Sequence, residues 1–215
     1  MHKEQRMRSM AKCLAVAAIS MASLAAVIAQ TPQTPTPAGA QGRAGGRGGP
    51  AAPPLIMTTT AWEDGGVIPD KYTMAAGPAA VSPELKWSQV PAGTQSFVLL
   101  MHDPEPVLAK GSKMDITHWL IWNIPGTSTG LPEGVAQGEL PDGSRQVSLR
   151  GNAYMGPGAP AGPHHHYTFE LYALDNKLEV PQGTPQEAAA TRTAVVNAMD
   201  GHVIGKAVLI ARFHR

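Results

Sequence analysis

Residues 151–175, GNAYMGPGAPAGPHHHYTFELYALD, constrain this chain more than any other stretch. The first half is a Gly/Pro loop that neither a helix nor a central strand accepts, because proline lacks the backbone donor and glycine weakens regular structure. The second half, residues 167–174, is rich in aromatic and apolar side chains and reads as a buried strand. His164, His165 and His166 stand at the junction. A rigid loop feeding a core strand is a way to hold polar side chains at the rim of a pocket. Adjacent histidines also occur in solvated turns, so the run alone assigns no chemistry.

The two ends of the chain set its context. Lys3, Arg6, Arg8 and Lys12 precede an uncharged, Ala-rich run over residues 14–28, and Val27, Ile28 and Ala29 offer a cleavage site before Gln30. That pattern predicts a signal peptide over residues 1–29 and a secreted or periplasmic protein; the apolar run is short for a membrane span. Without it, 13 basic residues face 15 acidic ones, which speaks against a nucleic-acid partner. The single cysteine, Cys13, falls within the leader, so stability must come from packing rather than disulfides. Residues 30–54, almost without large apolar side chains, predict a disordered Pro/Gly-rich tether. One folded domain is expected over residues 55–215.

Within it, residues 55–60 have strand composition, residues 67–73 read as an edge segment interrupted by Pro69, and Leu85 and Trp87 alternate with polar neighbours. SFVLLM at 96–101 is a continuous apolar run of strand length and delivers His102 and Asp103 at its end. Residues 115–125 form another strand, with His118 near its start, and residues 126–150 read as a long surface loop. Thr184, Pro185 and Glu187 make a capping box that starts one helix through Thr191, Val195 and Met199, stopped at Gly201. A last strand follows from residue 202. Many strands with one late helix imply a mainly β domain of packed sheets. Asp103, His118, His165 and Tyr167 then become candidates for a polar hollow in which protonated histidine and a tyrosine hydroxyl bind an anion.

DPEP at 103–106, THWLIWNIP at 117–125 and YMGPGAP with HHHYTFELYALD at 154–175 resemble the phosphatidylethanolamine-binding protein family, in particular its bacterial Raf-kinase-inhibitor-like branch. The resemblance extends to EDGGVIPDKYT, VSPELKWSQVPAGTQSFVLLMHDP, LPEG and MDGHVIGKAVLIARF. It implies a β-sandwich with one late α-helix, long Gly/Pro loops and an anion pocket at one end. In that pocket Asp103 matches the first aspartate, Glu105 stands where an aspartate is usual, and His118 matches the first histidine. His165 and Tyr167 match the family's His-Arg-Tyr, with His164 as the alternative to His165 because the preceding loop is one residue shorter. Gly158 and Pro160 match the rim, where glycine would let an anion approach the backbone. Residues 74–80 depart from the family's Cys-Asp-Gly-Glu-like segment. A tight rim turn also leads us to expect a cis bond before Pro106 or Pro160.

The reading that follows is non-catalytic binding of small phosphate-like or phospholipid-head-group-like anions, with no cofactor and no resident metal. Ser96 and Ser112 sit on no nucleophile-elbow pattern. Two alternatives remain: an inhibitor with a protein partner, a protease rather than a kinase, and a metal-dependent hydrolase using Asp103, His118 and His165. No stable membrane insertion is expected, and a homodimer is allowed.

Overall fold

The computed structural model describes residues 53–215, so the leader at 1–29 and all but the last two residues of the tether at 30–54 lie outside the described residues. Among the described residues, nine strands form two sheets. The smaller sheet has the order β1-β3-β6, with β1 Ile56–Thr58, β3 Leu85–Ser88 and β6 Gly130–Leu131. The larger has the order β2-β9-β8-β4-β5-β7: β2 Gly66–Val67, β9 Val203–Phe213, β8 His165–Leu174, β4 Ser96–Asp103, β5 Ile116–Pro125 and β7 Arg145–Val147. Only β2 and β9 run parallel; the other paired strands are antiparallel. The mainly β, two-sheet architecture with one late helix is the one expected.

The apolar run of β4 is continuous because both faces of the strand are covered, and each face takes alternate residues. Phe97, Leu99 and Met101 enter the main core with Trp87, Trp119, Phe169 and Leu209. Val98 and Leu100 pack on the other face with Leu120, Trp122, Val195 and Met199, beneath helix α1, Ala188–Ala198. Full burial of one such side chain stabilises the fold by about 1.5–3 kcal/mol. The indole N–H groups of Trp87, Trp119 and Trp122 donate to Ser128 O, Gln146 Oε1 and Val180 O at 2.7, 3.0 and 3.0 Å, so these rings carry no unmet donor into the core.

The capping box does its job one turn before the α-helix. Thr184 donates its backbone N–H and its hydroxyl to Glu187 Oε2 at 3.2 and 2.8 Å, across a 3-10 turn at Pro185–Glu187. Thr191, Val195 and Met199 are buried at helical spacing, and Gly201 ends the element at φ +81°.

Four expectations need correction. The first strand is trimmed to Ile56–Thr58. Of the segment at 67–73 only Val67 is strand, as the second residue of β2; after Pro69 the chain turns into a 3-10 helix at Asp70–Tyr72. The stretch 126–150 is not simply surface loop, because it holds β6 and β7 and buries Ser144, Gln146, Val147 and Ser148. Gln146 explains this: its amide accepts from Trp119 and donates to Ala136 O and Gly138 O at 2.7 and 3.0 Å, tying β5 to a loop with no apolar periodicity. Finally, no peptide bond among the described residues is cis, so the bonds before Pro106 and Pro160 are trans.

Candidate functional site

Three neighbouring ends of the larger sheet converge on one cavity of about 220 Å³. Asp103 closes β4 on the face that carries Phe97, Leu99 and Met101 into the core. His165 opens β8 on the face of Tyr167 and Phe169, and it pairs across to Phe213 of β9. His118 reaches the cavity differently. Between β4 and β5, Met101 faces Trp119 but His102 faces Thr117, so His118 has no partner and bulges from the ladder. Under strict alternation His118 would share a face with Leu120 and Trp122, below the helix. The bulge turns it to the cavity instead, where its ring meets Tyr167 edge-on at 5.0 Å.

The polar groups hold one another in defined orientations. His165 Nδ1 lies 2.7 Å from Asp103 Oδ2, while Asp103 Oδ1 accepts the backbone N–H of Glu105 at 3.1 Å. His118 Nδ1 donates to Met155 O at 2.8 Å, and the backbone N–H of Met155 donates back to His118 O at 3.0 Å. The carbonyl partner fixes the Nδ1–H tautomer of the neutral ring. The Tyr167 hydroxyl oxygen accepts the Ala159 N–H at 3.3 Å, leaving its own proton to donate.

Burial dominates the electrostatics. It lowers His118 from its ordinary 6.5 to about 4, against the hydrogen bond to Met155, so the ring is neutral at pH 7. Burial likewise raises Asp103, with the His165 hydrogen bond acting against it. The Tyr167 phenol is raised by burial and then by the charge of Asp103, so it keeps its proton. A protonated His118, the anion ligand the sequence suggests, is therefore absent near neutral pH. The desolvation cost of its charge is the reason.

Six of the seven residues singled out in the sequence line the cavity: Asp103, His118, Gly158, Pro160, His165 and Tyr167. Glu105 does not. Its carboxylate is taken by His166, which offers its backbone N–H at 3.0 Å and Nδ1 at 2.6 Å. Burial pushes Glu105 up, but hydrogen bonding with Asp103 and His166 outweighs it and holds the carboxyl low. His164 also stays outside, its ring centroid 4.0 Å from that of His214, so His165 is the inward histidine. A methyl group at Gly158 would meet the thioether of Met74, so glycine there also leaves room for that side chain.

Met74, Met155 and Arg150 line the cavity without a sequence signal. Arg150 sits in a Gly-rich stretch with no pattern, is exposed, and forms no ion pair among the described residues. Its charge is felt by His118, whose protonation it opposes. For a metal ion, the ligand atoms that lie within 4.8 Å of one another belong to Asp103, Glu105 and His165, so the set with His118 suggested by the sequence is not assembled.

Comparison with known proteins identifies the family and the fold. The phosphatidylethanolamine-binding protein family profile matches residues 58–214. A UPF0098 protein of Methanothermobacter thermautotrophicus is 41% identical over 162 residues, covering 74% of this chain and 98% of its own. The UPF0098 protein YbhB of Escherichia coli is 34% identical over 128 residues, covering 56% and 78%. Among solved structures, YbcL of E. coli, described as a member of the mammalian PEBP family, superposes with a TM-score of 0.60 at 26% identity, covering 75% of this chain and 98% of its own. A phosphatidylethanolamine-binding protein homolog from Chlamydia trachomatis gives a TM-score of 0.61 at 28% identity, with the same coverage. This chain belongs to the phosphatidylethanolamine-binding protein family.

Proposed function

We propose that the protein binds small phosphate-like anions in the cavity framed by Asp103, His118, His165 and Tyr167, without transforming them. The observation that carries this reading is the orientation of donors around one hollow. The Tyr167 hydroxyl has a proton to give, and Asp103 holds His165 by Nδ1 so that Nε2 is left for a ligand. Arg150 at the rim supplies a permanent cation with no competing carboxylate. Neutral His118 contributes shape and a lone pair rather than charge.

A second reading, metal-dependent hydrolysis, is favoured by the approach of Asp103, Glu105 and His165. Against it, Asp103 and Glu105 are already committed to His165 and His166. We place the protein outside the cytoplasm on the strength of residues 1–29; no helix among the described residues is long and apolar enough to cross a membrane.

Titration calorimetry with inorganic phosphate, run with and without a chelator, tests both readings. Saturable heat that survives the chelator is expected for the binder. Heat that requires added divalent cation, or turnover of a phosphate ester, would replace it with the hydrolase.

A further inference from the structure

A second cavity of about 330 Å³ adjoins the first, and Met74, Arg150 and Met155 line both. The two differ in chemistry. The first is walled mainly by apolar surface around its few polar groups, whereas the second exposes more polar than apolar surface. Gln137 and Gly156 contribute to it; Ser148 and Gly151 line it as well, but the Ser148 hydroxyl and the Gly151 peptide groups are bonded within their own turn. The second cavity contains no acidic, lysine or histidine side chain, so its one formal charge is the shared Arg150. The Gln137 amide, on an exposed residue, makes no hydrogen bond of its own among the described residues and retains both donors and its acceptor.

We infer that this second cavity is a subsite for an uncharged, hydroxyl-bearing group attached to the anion held next door, with Arg150 bridging the two. The ligand class is a phosphate ester of a polyol rather than bare phosphate. This rests on the anion-binding reading above. The unpartnered Gln137 amide suits hydroxyls, which donate and accept, and the uncharged wall around it offers nothing to a second charge. Arg150 presents a planar array of donors, enough to hold a phosphate oxygen on one side and an ester or hydroxyl oxygen on the other.

The test compares propyl phosphate with glycerol phosphate, which carry the same charge and the same three-carbon chain and differ only in hydroxyls, by calorimetry on the full chain. Glycerol phosphate should bind about tenfold more tightly, the scale of one or two neutral hydrogen bonds. Gly151→Leu adds a bulky side chain on the lining of the second cavity, at a position where its Cβ meets nothing within 4 Å. In that variant the ratio of the two affinities should fall to near one. Arg150→Gln should weaken both ligands, and Arg150→Lys should restore propyl phosphate better than glycerol phosphate. Equal binding of the two esters by the unaltered protein overturns the subsite and leaves the anion reading standing. Binding of neither overturns both. A ratio unchanged by Gly151→Leu puts the hydroxyl contacts elsewhere and also overturns the inference. Vesicles of phosphatidylglycerol distinguish a lipid source from a soluble one: competition with glycerol phosphate assigns the head group, and lack of it assigns the free ester.

Discussion

The two faces of β4 carry the same bond put to different uses. On the cavity face, Asp103 meets His165 at 2.7 Å; on the helix face, one residue earlier, His102 meets Asp115 at 2.7 Å. Asp115 is also bound by Arg192 of α1, which reaches Thr117 Oγ1 at 3.4 Å. Burial pushes Asp115 up, but the hydrogen bonds of His102 and Arg192 and the guanidinium charge win, and its carboxyl lies at about 2. Asp103 has no guanidinium against it, and there burial wins. The helix-side pair fastens α1 to the sheet, and its other imidazole nitrogen, His102 Nε2, is buried without a hydrogen-bond partner, 3.8 Å from Glu170 Oε2. The cavity-side pair instead lines a cavity that a ligand can enter. An unmet nitrogen on a His–Asp pair is therefore not a site until a cavity reaches it.

The largest expected effect tests the helix-side pair. Asp115→Ala strands the half-buried Arg192 and should lower unfolding stability by about 3 kcal/mol, the low end for breaking a buried pair. Phosphate affinity should change less than twofold, because Asp115 does not line the cavity. Chemical denaturation and calorimetry on one preparation would show it; a large loss of affinity would mean that the two faces are coupled through β4.

The faces should also part in pH. His118 in the folded protein releases its proton at about 4 instead of 6.5, so unfolding takes up a proton between those values. Its contribution is complete above pH 6.5 and falls by roughly 3 kcal/mol as the pH drops to 4. Asp115, lowered from 3.8 to about 2, keeps its contribution above pH 3.8 and loses it toward pH 2. Asp103, raised by burial, works against both by gaining stability as it protonates. Denaturation curves of His118→Gln should lose the slope between pH 4 and 6.5 and keep the one below it. An unchanged upper slope would mean that His118 is not held neutral by burial.

The smallest effects separate neighbouring histidines. His165→Ala should weaken phosphate binding by about 2 kcal/mol, the scale of a charge-assisted hydrogen bond. His166→Ala removes only an exposed pair with Glu105 and should cost about 0.5 kcal/mol of stability, with no loss of affinity. Equal losses of affinity from the two variants would place the ligand across the strand end rather than inside the cavity.

The strands β4, β5, β8 and β9 and the helix were legible because their signals are local. An apolar run, a period of two and a capping box express themselves whatever surrounds them. The same period of two assigned His165 and Tyr167 to one face of β8 and His166 to the other. β7 was not legible, since three residues carry no period and their burial depends on Gln146 meeting Trp119. Tertiary structure alone decided the rest of the site. His118 faces the cavity because β5 slips by one residue against β4, a relation between two strands that neither sequence states. Its neutrality follows from depth, Glu105 is drawn outward by His166, and Arg150 is brought to the rim by the turn after β7. Sequence determines which elements form, because propensity and pattern act within a few residues. Charge states and the facing of single side chains depend on solvent exclusion and register, which exist only once the sheets have packed.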